Sequence, residues 1–149
     1  MFTLNNICLP SCAIGTWAWG AGMNGSKMVF GKNYSEEQLS KTFDTAYEQG
    51  FVLWDTAEVY GMGNSEKILG KCIKNRVDVI LSTKYQPSKK FKQGKLEESL
   101  NNSLSRLGVD CVDLYWLHQP FCLEENITEA VEQLKYGKIK SLGLSNCTL

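Results

Sequence analysis

Short runs of apolar residues alternate along the chain with segments of helical periodicity. The apolar runs cover residues 12–19, 51–55, 77–84, 112–118 and 139–145. Runs that are apolar almost throughout, without a polar residue at every second position, are typical of strands buried on both faces of a parallel sheet. The pattern therefore predicts strands that alternate with helices, as in a parallel α/β fold with right-handed crossovers.

The helical segments carry start signals, buried stripes and stop signals. Ser35 and Gln38 form an S-x-x-Q capping box, in which each side chain satisfies a free backbone N–H at the helix start. Apolar residues then recur on one helix face, and a glycine follows the last of them. The three stripes and their stops are Leu39, Phe43 and Ala46 before Gly50; Leu96, Leu100, Leu104 and Leu107 before Gly108; and Ile127, Val131 and Leu134 before Gly137. An apolar cluster in residues 68–73 predicts a shorter helix between the second and third strands.

Polar residues close the last four predicted strands. They are Asp55, Lys84, His118 and the pair Ser145 and Asn146. Tyr60 lies five residues beyond Asp55 in a glycine-containing loop. A polar residue at one loop start is ordinary, but the carboxyl ends of parallel strands share one rim, where α/β enzymes place their chemistry. We therefore expect these side chains to converge.

Such a set suits proton transfer to a carbonyl oxygen. A tyrosine hydroxyl with an ordinary pKa of about 10 holds its proton too firmly at neutral pH. A lysine ammonium beside it favours the phenolate and lowers that pKa, and a carboxylate keeps the lysine charged and in place. A neutral histidine can hydrogen-bond the substrate carbonyl and orient it. The set would act as a general acid while hydride reaches carbon, and the hydride has to come from a nicotinamide cofactor.

Composition narrows the class of protein. The chain has 149 residues, the size of one domain, and its 16 basic and 16 acidic side chains give a formal net charge of zero. This balance gives no reason to expect nucleic acid or an anionic membrane as a partner. No membrane span, signal peptide or metal-ligand spacing is evident. Six cysteines without a C-x-x-C pair indicate free, mostly buried thiols, so we expect a cytoplasmic protein.

These residues and their surroundings resemble the aldo-keto reductase superfamily along nearly the whole chain. Residues 54–70, WDTAEVYGMGNSEKILG, are similar to the family signature D-T-A-x-x-Y-G-x-x-x-S-E-x-x-L-G. Residues 99–120, SLNNSLSRLGVDCVDLYWLHQP, are similar to a second signature. Residues 15–17, 82–84 and 137–146 look like three further strands of the family.

The resemblance implies a (β/α)8 fold of the TIM-barrel type and the NADPH-dependent reduction of aldehydes or ketones to alcohols. It implies Tyr60 as the general acid, Lys84 and Asp55 as the residues that tune it, and His118 as the residue that orients the carbonyl. It also implies a group of residues that contact the cofactor. That group is Thr16, Trp17, Asp55, Ser145 and Asn146.

The length of the chain departs from the family pattern. A barrel of this type needs about 250 residues, whereas the chain has 149. We therefore expect a truncated barrel, a single incomplete domain over residues 1–149 with only about the first five βα units. The region of the barrel that binds the adenine ribose phosphate of the cofactor in this family would be absent. An exposed sheet edge and exposed apolar faces then predict self-association or loose folding.

Other interpretations stay open. Residues 20–25 spell the G-x-G-x-x-G of doubly wound dehydrogenases, but no helix is expected at Gly25 and Asp44 falls inside a helix rather than at a strand end. The chain could also be a non-catalytic, nicotinamide-binding regulatory subunit, or an inert fragment. Trp17, Trp19 and Tyr85 suit either an aromatic pocket wall or packing in the core.

Overall fold

The structure, a computed structural model, describes residues 2–4 and 7–148. An antiparallel hairpin of two short strands comes first, and alternating helices and strands follow it. The strands are β1 (Phe2–Leu4), β2 (Ile7–Leu9), β3 (Ile14–Gly15), β4 (Leu53–Asp55), β5 (Ile80–Tyr85), β6 (Val112–Leu117) and β7 (Ile139–Leu144). The helices are α1 (Ser26–Phe30), α2 (Glu36–Glu48), α3 (Asn64–Ile73), α4 (Lys95–Leu107) and α5 (Leu123–Lys135), and a 3₁₀ turn covers Tyr60–Gly63.

A parallel sheet of five strands organises the described residues. Its order is β3-β4-β5-β6-β7, so strands that are neighbours in the sheet are also neighbours in the chain. Helices α2 to α5 each connect one strand to the next. This arrangement confirms the predicted parallel α/β fold, and it brings the carboxyl ends of the strands to one rim.

The core lies between this sheet and its helices. Trp54 of β4 is fully buried and packs on Phe43 of α2, with ring centroids 4.5 Å apart, and on Trp19 at 5.6 Å. The predicted stripe of α4 is buried along its whole length. Trp19 and Tyr85 are only 5% and 4% exposed, so they are core residues, and of the three candidate pocket aromatics only Trp17 reaches the surface.

The predicted start and stop signals are confirmed. In the capping box of α2 the Ser35 N–H donates to Gln38 Oε1 at 2.9 Å, and the Gln38 N–H donates to Ser35 Oγ at 3.2 Å. Gly50, Gly108 and Gly137 follow α2, α4 and α5 with φ angles of 85°, 71° and 73°. These left-handed conformations are strained for residues with a Cβ, which explains glycine at each helix end.

The first predicted strand is much shorter than residues 12–19. Only Ile14–Gly15 forms β3, and the Thr16 N–H adds one more bond to the Asp55 carbonyl at 2.8 Å. The chain then turns, because the Trp19 N–H bonds back to the Thr16 carbonyl at 2.9 Å. The ends of the other four strands lie within three residues of their predicted ends.

The expectation that no helix begins at Gly25 is wrong. Helix α1 starts directly after Gly25, although it has no side-chain cap and no acidic residue in its first turn. The Gly20 carbonyl replaces a cap, since it accepts from the Ser26 N–H at 3.0 Å and from the Ser26 hydroxyl at 3.2 Å. Asp44 does lie inside α2, as expected.

The predicted stripe of α5 is only partly correct. Ile127 and Leu134 are half-buried against the core, but Val131 is 37% exposed. The helix packs on α4 and β7 through an adjacent face. The buried residues of that face are Asn126, Glu129, Ala130 and Gln133. Polar residues therefore occupy much of the face that α5 turns inward.

Two further features concern the part of the chain that the structure describes. Within residues 2–4 and 7–148 no helix combines the length and apolar character needed to cross a membrane. The six cysteines, at positions 8, 12, 72, 111, 122 and 147, are all free thiols, but the expectation that most are buried is wrong, because three are exposed and three are half-buried. Partial burial raises the pKa of the Cys72 and Cys111 thiols above the ordinary value, which keeps them protonated and poorly reactive.

Candidate active site

Three neighbouring strands bring Asp55, Lys84 and His118 to one rim of the sheet. Asp55 is the last residue of β4, Lys84 lies one residue before the end of β5, and His118 follows β6 directly. The His118 N–H donates to the Tyr85 carbonyl at 2.8 Å, which continues the pairing of β5 and β6 by one residue. The structure therefore brings these three predicted site residues together.

The Lys84 ammonium is held inside the fold. The residue is only 9% exposed, and its Nζ lies 2.5 Å from Asp55 Oδ2 and 2.7 Å from the Thr56 carbonyl oxygen. A buried ammonium needs a counter-charge and hydrogen-bond acceptors because burial removes its water. Asp55 and Thr56 supply both, so Lys84 keeps a fixed position.

Tyr60 faces this ammonium from the 3₁₀ turn. Lys84 Nζ lies 4.9 Å from the centre of the Tyr60 ring, and the Trp17 ring stacks on Tyr60 with centroids 5.6 Å apart and an interplanar angle of 19°. Gly61 and Met62 follow with left-handed φ angles of 56° and 54°. The turn is therefore compact, and it presents the half-buried Tyr60 ring to the strand ends.

His118 completes the cluster through a ring contact with Tyr60. The two rings meet edge to face, with centroids 6.1 Å apart. His118 Nδ1 is buried and has no hydrogen-bond partner among residues 2–4 and 7–148. Burial lowers the pKa of His118 from its ordinary value of 6.5, and the charge of Lys84 lowers it further. The imidazole is therefore neutral at neutral pH.

Ser145 and Asn146 stand beside His118 at the end of β7. The Ser145 N–H donates to the Leu117 carbonyl at 3.0 Å, and Asn146 Nδ2 donates to the His118 carbonyl at 2.8 Å and to Ser145 Oγ at 3.1 Å. Asn146 adopts a left-handed φ of 56°, which asparagine tolerates better than most residues. Both residues thus lie close to the cluster of Asp55, Lys84, Tyr60 and His118.

Thr16 and Trp17 differ in what they offer to a ligand. Thr16 is fully buried, and its hydroxyl lies 3.1 Å from the Asp55 carbonyl and 2.7 Å from Ser65 Oγ. Its side chain joins β3, β4 and α3 and does not project into solvent. Trp17 is 44% exposed, and its indole N–H donates to the Asn24 carbonyl at 3.2 Å. Of the two, Trp17 offers an accessible surface.

Two residues in the cluster had no role in the sequence interpretation. Ser82 Oγ donates to Asp55 Oδ1 at 2.7 Å, and Trp116 Nε1 donates to Ser82 Oγ at 2.9 Å. A signal was present, because Ser82 lies two residues before Lys84 and Trp116 two before His118, so each shares a strand face with a predicted site residue. Among the residues described, no group of acidic, histidine or cysteine side chains is arranged to hold a metal ion.

A parallel sheet that gathers a lysine–carboxylate pair, a tyrosine and a histidine at its carboxyl rim has the site architecture of an α/β-barrel enzyme. The comparison with protein families makes the assignment more specific. The model of the aldo/keto reductase family matches residues 12–149. The chain therefore belongs to the aldo/keto reductase family.

This chain spans about half the length of the known aldo-keto reductases that it matches. Aldo-keto reductase YhdN of Bacillus subtilis is 37% identical over 149 residues, which cover 91% of this chain and 43% of that protein. The thermostable aldo-keto reductase Tm1743 is 34% identical with a TM-score of 0.79, and the match covers 93% of this chain and 50% of that one. An aldo-keto reductase from Klebsiella pneumoniae, solved in complex with NADPH, is 27% identical with a TM-score of 0.76. The match covers 93% of this chain and 46% of that one.

These matches fix the fold class. The sheet β3–β7 with its helices corresponds to about the first five βα units of a (β/α)8 barrel, and the chain spans 43% of the length of YhdN. The comparison sets aside the doubly wound dehydrogenase that residues 20–25 suggested. In this structure those glycines serve local packing, since a Cβ on Gly25 would lie 2.6 Å from the Gly20 carbonyl oxygen.

Proposed function

We propose that this chain carries the catalytic part of an NADPH-dependent reductase that converts aldehydes or ketones to alcohols. The observation that carries the proposal is the buried Lys84 ammonium, which is neutralised by Asp55 and faces the Tyr60 ring. A small carbonyl compound is the expected substrate.

Tyr60 is the general acid in this proposal. Its hydroxyl donates a proton to the carbonyl oxygen as negative charge develops there. The phenolate that remains is stabilised by the Lys84 ammonium, and this attraction is strong because burial excludes water. Asp55 keeps the ammonium in place, so that Lys84 does not have to reorganise during the reaction.

His118 orients the substrate. A neutral imidazole has one N–H donor and one acceptor, and the lowered pKa of His118 keeps it in this form. Its N–H would bond the same carbonyl oxygen that Tyr60 protonates. A neutral donor aligns that oxygen without competing with Tyr60 as the acid.

The residues beside His118 fit the carboxamide of a nicotinamide. A carboxamide has one acceptor and two donors, so it needs a donor and an acceptor from the protein. Ser145 has a hydroxyl hydrogen to donate, and the Asn146 amide oxygen has no partner among residues 2–4 and 7–148. NADPH, when bound, would supply the hydride. We assign Trp17, Asp55, Ser145 and Asn146 to cofactor binding, with Thr16 supporting them from the core.

The test is turnover by the chain and by Tyr60→Phe, measured as NADPH consumption with a reactive aromatic aldehyde. Loss of a general acid lowers kcat by about 10²- to 10⁴-fold. Tyr136→Phe is the matched control, because Tyr136 is 69% exposed and lies at the end of α5. We expect normal turnover in this control.

Binding of NADPH, measured separately by calorimetry, distinguishes the alternatives. Binding with turnover that depends on Tyr60 supports the proposal. Binding without turnover would indicate the non-catalytic nicotinamide-binding subunit. The absence of both binding and turnover would indicate an inert fragment. The cytoplasmic location remains a prediction, supported by the free thiols.

A further inference from the structure

Asp55, Ser82, Lys84 and Trp116 share one face of the sheet. Asp55 of β4 is the register partner of Ser82 of β5, and Lys84 of β5 is the register partner of Trp116 of β6. Register partners in neighbouring strands point to the same face, and so do residues two apart on one strand. The four side chains therefore form a continuous patch across three strands.

A directed series of hydrogen bonds crosses this patch. Trp116 Nε1 donates to Ser82 Oγ at 2.9 Å, Ser82 Oγ donates to Asp55 Oδ1 at 2.7 Å, and the other Asp55 oxygen accepts from Lys84 Nζ at 2.5 Å. An indole N–H can only donate, and a serine hydroxyl has a single hydrogen. The bond from Trp116 occupies an acceptor position on Ser82, which leaves the hydroxyl hydrogen for Asp55.

The position of the Trp116 indole depends on Gly143. Gly143 of β7 is the register partner of Trp116, and a Cβ on Gly143 would lie 2.3 Å from Trp116 Cε3. Such a contact is impossible without displacing the ring. Because Gly143 has no side chain, it leaves space for the Trp116 indole to lie across the sheet and reach Ser82.

We propose that Trp116 and Ser82 are positioning residues that fix the Asp55 carboxylate, and through it Lys84, at the general acid Tyr60. Both oxygens of Asp55 are then held by donors from β5, so the carboxylate has one orientation. The inference deepens the proposed reductase function and rests on it for its catalytic meaning, but the hydrogen-bond series can be tested without activity.

The kinetic test compares Ser82→Ala and Ser82→Thr. The alanine variant removes the bond to a charged acceptor, and we expect kcat to fall about 10-fold. The threonine variant keeps the hydroxyl and is expected to restore at least half of the wild-type kcat. Ser103→Ala is the matched control, since Ser103 is fully buried on α4 and bonds Arg106 away from the site.

A second test follows the hydrogen-bond series by NMR, through the indole N–H of Trp116. The indole N–H resonance of Trp116 is identified by its loss in Trp116→Phe. We expect Ser82→Ala to shift this resonance and to speed its hydrogen exchange by about 3- to 10-fold. Asp55→Asn is expected to shift it as well, although Trp116 does not touch Asp55. The control is the indole N–H resonance of Trp54, which is identified by its loss in Trp54→Phe. This indole bonds the Phe51 carbonyl at 3.1 Å, outside the series, so its resonance is expected to keep its position in both variants.

The two tests separate the inference from the proposed function. If the wild-type chain shows no turnover, the reductase proposal fails for this chain, and the NMR result alone decides whether the series exists. An indole resonance that neither Ser82→Ala nor Asp55→Asn moves would overturn the inference. It would also be overturned by an active chain in which Ser82→Ala keeps the wild-type kcat.

Discussion

His118 is the only histidine in the chain, so its imidazole gives a single titration curve by NMR. Burial and the charge of Lys84 lower the pKa of His118 below 6.5. We expect a midpoint below 6.5 in the wild type and a higher midpoint in Lys84→Met, because that substitution removes the repelling ammonium. Lys67→Met, at an exposed position on α3, is expected to leave the midpoint unchanged.

The same shift has a consequence for stability. Between the lowered pKa of His118 and about 6.5, the unfolded chain binds a proton that the folded chain does not. The contribution of His118 to the free energy of unfolding therefore rises with pH through this window and is lost as the pH falls through it. A midpoint at or above 6.5 would contradict both the burial of His118 and its neutral role.

Individual site residues differed in how far the sequence could predict them. Asp55, Lys84 and His118 were predictable because the ends of parallel strands share a rim. For Ser82 and Trp116 the sequence indicated the strand face but not their contact, because the contact depends on the register of β5 with β6, which strand patterns alone leave open. The site roles of the former group remain predictions until the variants are measured.

A buried carboxylate joins three elements of the fold. Glu66 of α3 is fully buried and accepts from Thr83 Oγ1 of β5 at 2.6 Å and from Arg106 Nε of α4 at 2.6 Å. Arg106 also packs against Gly63, where an added Cβ would lie 2.7 Å from its side chain. The pair therefore couples the Tyr60 turn and its following helix to the body of the sheet.

Removal of the arginine is expected to destabilise the fold strongly. Arg106→Met leaves the Glu66 carboxylate buried without its counter-charge, which costs about 3 kcal/mol in unfolding free energy. The control is Arg76→Met, since the Arg76–Asp44 pair is about half exposed and is worth about 1 kcal/mol or less. Urea denaturation measures both. Equal losses in the two variants would show that burial of Glu66 does not decide the effect.

Long periodic elements were predictable, and short ones were not. The stripe of α4 and the capping box of α2 repeat a physical rule over several residues, so the sequence carries enough signal. Helix α1 has five residues and a glycine N-cap, and it begins where the Gly20 carbonyl, which lies in the preceding turn, accepts from Ser26. The hairpin of β1 and β2 has three residues in each strand and was likewise missed.

The outer strands of the sheet shape the behaviour of the whole molecule. In the described sheet, β3 and β7 each have one neighbour, and Leu144 at the end of β7 is 43% exposed. Unpaired strand edges are templates for association with another chain. We therefore expect the chain to self-associate in a concentration-dependent manner.

Sedimentation at several concentrations tests this expectation. Leu144→Lys places a charge at the edge and is expected to weaken association about 10-fold or more, as charged edge residues do in natural sheets. Val77→Lys is the matched control, because Val77 is fully exposed in the loop before β5. A wild-type chain that stays monomeric and unfolds cooperatively would contradict the prediction.

The strand order also bears on how the molecule is made. Because each of β4 to β7 pairs with the strand synthesised before it, each of these strands finds its template already in place when it emerges from the ribosome. The chain is synthesised from the N-terminus at roughly 5–20 residues per second. The Asp55–Lys84 pair can form once β5 has emerged, before α4 and β6 leave the ribosome. Nascent-chain folding on stalled ribosomes should therefore proceed strand by strand, with the charged centre of the site in place ahead of His118.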